Sequence, residues 1–235
     1  MIDNSEIETY IYLSNQSLTI VVLKIDTSEP IYYHNFPTKN SQNKIDISDL
    51  EKFLELNIFE IEKKLDNFIN QIFLIIESDS FYTVNISTKK NNLKKKVSKK
   101  DIAYMLTDIK REIIKSNPES SIIHVIIKSF IYDDKSSPSL NDNGICDNFC
   151  LNIDFICLKK NFLNKFSSSF KKYQITIDQV IDGNYVKKFL TTYGGLEVCQ
   201  FAQKLQKGFN ANEVQFAPRI KEKKGFFEKF FNFFK

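Results

Sequence analysis

Tyr10-Ile11-Tyr12-Leu13-Ser14-Asn15-Gln16-Ser17-Leu18-Thr19-Ile20-Val21-Val22-Leu23-Lys24-Ile25 is β-branched and aromatic on both sides of a short polar break. Such runs, bounded by turn formers, read as strands, and the break at Asn15-Gln16 predicts a hairpin. Residues 31–35 add a strand. Ser48 or Asp49 is placed to cap a following helix, whose apolar positions Leu50, Phe53, Leu54, Ile58, Phe59, Ile61, Leu65, Phe68 and Ile69 recur at helical spacing. Strands at 72–76 and 81–86 flank a Glu77-Ser78-Asp79-Ser80 turn. Ser98 caps a second helix, with Asp101 in its first turn and Ile102, Met105, Leu106, Ile109 and Ile113 on its apolar face. Asn117-Pro118 ends it. Residues 122–132 and 149–158 are strands, and 161–173 is a helix with Phe162, Leu163, Phe166 and Phe170 on one side. A short strand at 175–177, a helical stretch over 185–206 broken at Gly194-Gly195, a polar linker and a last element complete an α+β reading.

The composition narrows the classes. The chain has 235 residues, 42% hydrophobic, and a net charge of 33 − 29 = +4, enough for a sizeable core. Six Gly and five Pro exclude collagen-like and linker classes. Four Cys without an even framework read as free thiols in a reducing compartment. No apolar run is long enough to span a bilayer. The acidic start, Met1 to Glu6, lacks the basic region of a signal peptide, so a cytoplasmic location is expected.

Residues 225–235 are the most informative segment. Placed 100° apart on a helical wheel, Phe226, Phe227, Phe230, Phe231, Phe233 and Phe234 fall within an arc of roughly 160°. Gly225, Glu228, Lys229, Asn232 and Lys235 take the rest. From Arg219 to Lys235 there are six basic and two acidic side chains, or +4. Such a helix would bury its rings among acyl chains while Lys223, Lys224 and Lys229 face anionic headgroups. Full burial of a Phe is worth about 1.5–3 kcal/mol, so six at half depth suffice for reversible attachment. A helix docked on the protein's own core is the competing reading.

Residues 89–100 hold seven lysines and no acid. Without Arg or interleaved aromatics the run reads as a solvated hairpin connection rather than a nucleic-acid surface, with a second contact to anionic lipid as the alternative. His34 and His124 are far apart, and His124 lies in an apolar run, which suits a satisfied core histidine. Cys146 and Cys150 have no second pair to make a zinc site. Asp133-Asp134 reads as a solvated loop. No catalytic or metal residue is singled out, no cofactor is expected, and the chain is read as not an enzyme.

The order of several motifs resembles FtsA, the actin-related family that ties the bacterial division ring to the membrane. Val97-Ser98-Lys99-Lys100-Asp101-Ile102 is similar to a family helix start. Ile123-His124-Val125-Ile126-Ile127-Lys128-Ser129-Phe130-Ile131-Tyr132-Asp133 resembles a family strand in which Pro and Gln stand at the positions of Ile127 and Lys128. Asn143-Gly144-Ile145 stands near a family Gly-Met turn. Ile72 to Phe81 resembles a strand and turn, and Leu190 to Leu196 a helix near the family's C-terminus. The family, too, closes on an amphipathic membrane helix.

The resemblance implies a partial actin-like first subdomain at 1–90, an inserted SHS2-type small α/β domain at 91–183, a body helix at 184–206, a linker at 207–224 and a membrane-targeting amphipathic helix at 225–235. Tyr12 and Ser14 stand where the family has the Asp and Gly of its phosphate loop, and Ser17 where it has a basic residue. A magnesium-nucleotide site needs that carboxylate and that glycine. The second phosphate loop is absent, and the ATP-binding second lobe is expected to be missing. The implied function is a peripheral adaptor on the cytoplasmic face of the inner membrane. Its partners would be anionic lipid, FtsZ or later division proteins, and further copies of itself, but not nucleic acid. A PilM-like pilus-assembly adaptor is the alternative, and a divergent actin-fold ATPase another.

Overall fold

The computed structural model describes residues 6–38, 45–91, 93–140 and 145–214. In chain order the elements are β1 (Ile7–Leu13), β2 (Ser17–Lys24), β3 (Pro30–Pro37), α1 (Ile47–Leu65), β4 (Gln71–Ile76), β5 (Tyr82–Lys90), β6 (Lys95–Lys96), α2 (Lys99–Ser116), β7 (Ser120–Tyr132), β8 (Lys135–Ser137), β9 (Ile145–Cys146), β10 (Phe149–Lys159), α3 (Lys160–Lys171), β11 (Thr176–Asp182), α4 (Gly183–Lys187) and α5 (Gly195–Gln206). The class is mixed α/β.

The hairpin forms as its sequence requires, with Leu13 opposite Leu18 and Ile7 opposite Lys24. The Ser14 hydroxyl closes its turn: Oγ accepts from the Gln16 and Ser17 amides and donates to the Ser17 carbonyl. The hairpin sits inside a five-stranded sheet of order β11-β4-β1-β2-β3. β4 pairs parallel with β1 and with β11, while β2 and β3 run antiparallel. Alternate residues of the central strands enter two different cores. Ile11, Leu13, Ile20 and Leu74 pack against Phe53, Leu54 and Ile61 of α1 and Phe166 and Phe170 of α3. Tyr10, Tyr12, Val21 and Ile75 pack against Tyr185 and Val186 of α4 and Val198, Cys199 and Ala202 of α5. Covering both faces explains why β1, β2 and β4 are apolar almost throughout rather than alternating.

A second, antiparallel sheet has the order β5-β10-β7-β8. One face packs under Ile102, Met105, Leu106 and Ile113 of α2, with Val125, Phe130, Leu151 and Phe155 beneath them. The other face is polar: Asn152 bonds Ser87 and Ser129, and Asp154 bonds Asn85. That period of two is expected for a sheet with one solvated side. Ser98 and Asp101 form a capping box at the start of α2. Hydrogen bonds from Ser98, together with Lys95, hold the Asp101 carboxyl well below the usual carboxylate range. Between β4 and β11 of the first sheet the chain thus makes a strand–helix–strand–strand excursion, β5-α2-β7-β10, before returning through α3.

Several expectations are corrected. The strands on either side of residues 77–80 do not pair; β4 and β5 belong to different sheets. Tyr82–Lys90, expected within the 1–90 unit, is therefore an edge of the second sheet. Hydrophobic pattern marks a strand but not its partner. The cap of α1 is Asp46, whose side chain accepts from the Ser48 amide. Phe59 and Phe68, assigned to the apolar stripe, are 72% and 71% exposed. Residues 207–214, expected in the polar linker, are packed on the body through Lys207, Asn210, Asn212 and Glu213. Asp133 is not merely solvated, because its carboxylate accepts from the amides of Asp147 and Asn148.

Candidate functional site

In open sheets of this kind ligands gather beyond the carboxyl ends of the parallel strands. Here those ends are Leu13, Ile76 and Asp182. Glu77, just past β4, accepts from the Tyr12 hydroxyl and pairs with Lys187 of α4 at 2.6 Å. Both charged side chains are about one-quarter exposed. The Lys187 ammonium also stands 5.4 Å from the centroid of the Tyr193 ring. Burial, reinforced by the Glu77 carboxylate, pushes the Tyr12 phenol far up, so it remains a donor. Gly183 is held against the backbone of β4: a Cβ there would lie 3.1 Å from the Ile76 carbonyl oxygen. The Glu77 carboxylate at this mouth is paired with a lysine, the Asp182 carboxylate accepts from the Asn184 amide, and the nearby Ser14 hydroxyl occupies two turn amides. The arrangement is a closed internal network that ties β1, β4 and α4 together.

A second network lies where the two sheets meet. The backbone N–H of Asp182 donates to His124 Nε2 at 3.0 Å. Nε2 is therefore an acceptor, and the ring proton sits on Nδ1. Nδ1 donates to Glu213 Oε1 at 2.7 Å, while Glu213 Oε2 accepts from the Tyr185 hydroxyl at 2.9 Å. Asn210 Nδ2 donates to that same hydroxyl at 2.8 Å. Around this group the segment after α5 bridges Ile126 to Glu213. The Ile127 amide donates to the Asn212 carbonyl and the Val214 amide to the Val125 carbonyl, each at 2.8 Å. Burial raises the Tyr185 phenol, and it raises the Asp182 carboxyl against the pull of its own hydrogen bonds. His124 is the satisfied core histidine its apolar surroundings suggested. Its partner Glu213 carried no sequence signal, since 89 residues separate the two.

No family profile matches the chain, and no curated protein matches it. Among solved structures it is similar to the PilM-PilN type IV pilus biogenesis complex, with TM-score 0.49 and 6% identity over 77% of this chain and 49% of that one. It is also similar to the cytoplasmic domain of EpsL, an inner membrane component of the type II secretion system of Vibrio cholerae, with TM-score 0.38 and 9% identity over 77% and 58% of the two chains. A Bacteroides thetaiotaomicron protein with an actin-like ATPase fold gives TM-score 0.31 and 13% identity over 80% and 58%. The chain thus covers between 49% and 58% of the length of these proteins.

The membrane-binding residues assigned from sequence, Lys223, Lys224, Phe226, Phe227, Lys229, Phe230, Phe231, Phe233 and Phe234, lie outside the described residues. The last described residue, Val214, lies on the seam between the sheets, its amide bonded to the Val125 carbonyl. Among the described residues no helix is long and apolar enough to cross a membrane. Likewise, no cluster of three or more His, Cys, Asp or Glu side chains there could hold a metal ion. The four cysteines are free, and burial pushes the Cys199 and Cys157 thiols up, away from reactivity.

Proposed function

We propose that this protein is a membrane-tethered adaptor related to the actin-like division proteins. Residues 225–235 hold it reversibly on anionic lipid, and the two-sheet body presents a protein-binding surface. The observation that carries the reading is the seam. Residues 212–214 are clamped onto β7 by backbone and side-chain bonds, so the last described residues before the phenylalanine-rich sequence are held at a fixed point on the body. The excursion between β4 and β11 supports the inserted small domain that the family resemblance implies. Recruitment works by concentration: a partner captured at the surface meets other membrane-held proteins at a raised local level. In this reading the body works without ATP, because Tyr12 replaces the carboxylate and Ser14 the glycine of a phosphate loop, and Ser14 closes its own turn.

The test is co-sedimentation of the full chain and of a variant lacking Gly225–Lys235 with phosphatidylserine-containing vesicles. The deletion should lower the bound fraction at least about tenfold, given about 1.5–3 kcal/mol for each fully buried Phe. Undiminished binding removes the tether. In the same vesicles, purified FtsZ should be retained only when the full chain is present. Failure there with the tether intact moves the partner to the pilus-assembly alternative. Melting with and without magnesium-ATP should give one Tm, whereas a rise would return the ATPase reading.

A further inference from the structure

The lysines of residues 89–100 are built into a firm frame at one end of the second sheet. Lys89 and Lys90 finish β5 opposite Cys150 and Phe149. The Leu93 amide donates to the Asp147 carbonyl at 2.9 Å. Lys95 and Lys96 form a short ladder with Cys146 and Ile145, Val97 is buried, and Ser98 caps the helix that Lys99 and Lys100 open. Lys89, Lys94, Lys95, Lys96, Lys99 and Lys100 are exposed. Lys95 is engaged by Asp101 at 3.0 Å. Among the described residues the other acids at this end are Asp133, which accepts two backbone amides, and the exposed Asp134 and Asp147, with Lys135 beside them.

Two side chains among these lysines do not suit plain solvation. Ile145 is 75% exposed and lies directly opposite Lys96, so both project from one face of their ladder. Tyr104, 68% exposed, stands one helical turn beyond Lys100. Exposed ammonium groups on the same elements as an apolar side chain and an amphipathic ring match the boundary between headgroups and acyl chains. A nucleic-acid surface would want Arg and stacked aromatics in the run, and an acidic protein would need a pocket for Ile145.

We propose that this lysine-rich end of the second sheet is a second contact with anionic lipid, separate from the terminal segment. It rests on the membrane reading above only in sharing the bilayer. Val214 is held at Val125, which lies across β10 from Val84, and six strand residues carry β5 from there to Lys90, about 20 Å. The ten residues 215–224 can reach about 35 Å, so both contacts fit one surface.

The experiment uses the full chain, with vesicles of phosphatidylcholine alone and with added phosphatidylserine. The triple variant K94Q/K96Q/K99Q spares the Lys95–Asp101 pair. It should bind phosphatidylserine vesicles about tenfold more weakly or worse, bind neutral vesicles unchanged, and keep its Tm. Ile145→Ser should weaken binding several-fold on both vesicles without changing Tm. Equal binding of the triple variant and the wild type to phosphatidylserine vesicles overturns the proposal, and so does a triple variant that loses only duplex DNA binding. A F230S/F231S variant separates the two readings. If it binds like wild type while the triple variant is weakened, the terminal tether fails and this contact stands. If only F230S/F231S weakens binding, this contact fails and the tether stands.

Discussion

Glu213→Ala should lower stability by about 2–4 kcal/mol, because one carboxylate satisfies two buried donors. His124 is 2% exposed and Tyr185 3%. Losing the acceptor strands the Nδ1–H of one and the hydroxyl of the other, and each stranded buried group costs about 1–3 kcal/mol. The Tyr185 hydroxyl would still receive Asn210, which softens its share. At roughly 2–4 °C per kcal/mol for a chain of this size, Tm should fall by about 5–15 °C. Glu213→Gln keeps a carbonyl oxygen for His124 and should recover at least half of the loss. Hydrogen exchange gives the local reading: in the alanine variant the amides of Ile127 and Val214 should lose protection first, since they pin this segment to β7 and to the Asn212 carbonyl. An alanine variant that melts with the wild type would mean that the seam contributes nothing to holding the chain end.

The difference between Glu213 and the elements that pattern foretold is one of range. The β1–β2 hairpin was legible because its pairing depends on neighbours in sequence: two apolar runs and a turn whose own serine closes it. The cap at Ser98 and its partner Asp101 stand three positions apart and were legible for the same reason. The break at Gly194-Gly195 was visible too, and α5 begins at Gly195. What pattern cannot give is partnership at a distance. The strands around residues 77–80 look like a hairpin by composition, yet β4 finds β1 and β11 while β5 finds β10. His124 reads as a core histidine from its apolar flanks, but its two partners lie 58 and 89 residues away. The polar residues after α5 look like linker because Asn210, Asn212 and Glu213 are polar. In the fold Glu213 accepts from two buried donors, Asn210 donates to the Tyr185 hydroxyl oxygen and Asn212 to the exposed Pro138 carbonyl. At the candidate site the same limit applies: Tyr12 and Ser14 were marked as departures from a phosphate loop, while their links to Glu77 and to the turn amides needed the folded chain.

The largest single-residue effect is expected at Phe53. Phe53→Ala should cost about 3–5 kcal/mol, and Phe59→Ala, six residues along the same helix, less than about 1 kcal/mol. Both are apolar positions of α1 by sequence, and both changes swap Phe for a better helix former. Propensity therefore favours each variant slightly and by the same amount. Surroundings decide the sign and size. Phe53 is fully buried, with the rings of His34 and Phe36 at 6.1 and 6.3 Å, and it anchors α1 over β2 and β3. Its removal leaves a cavity beneath a helix that cannot settle, because Leu50, Leu54 and Ile61 already touch the sheet. Asn57 depends on the same seat: it donates to the Phe53 carbonyl at 2.6 Å and bonds His34 and Tyr32. Phe59, 72% exposed, leaves no void when cut back. Thermal melts of the two variants should differ by about 10 °C or more. Equal melts would mean that α1 lies in a different register on the sheet, with its stripe rotated so that the two phenylalanines share the load.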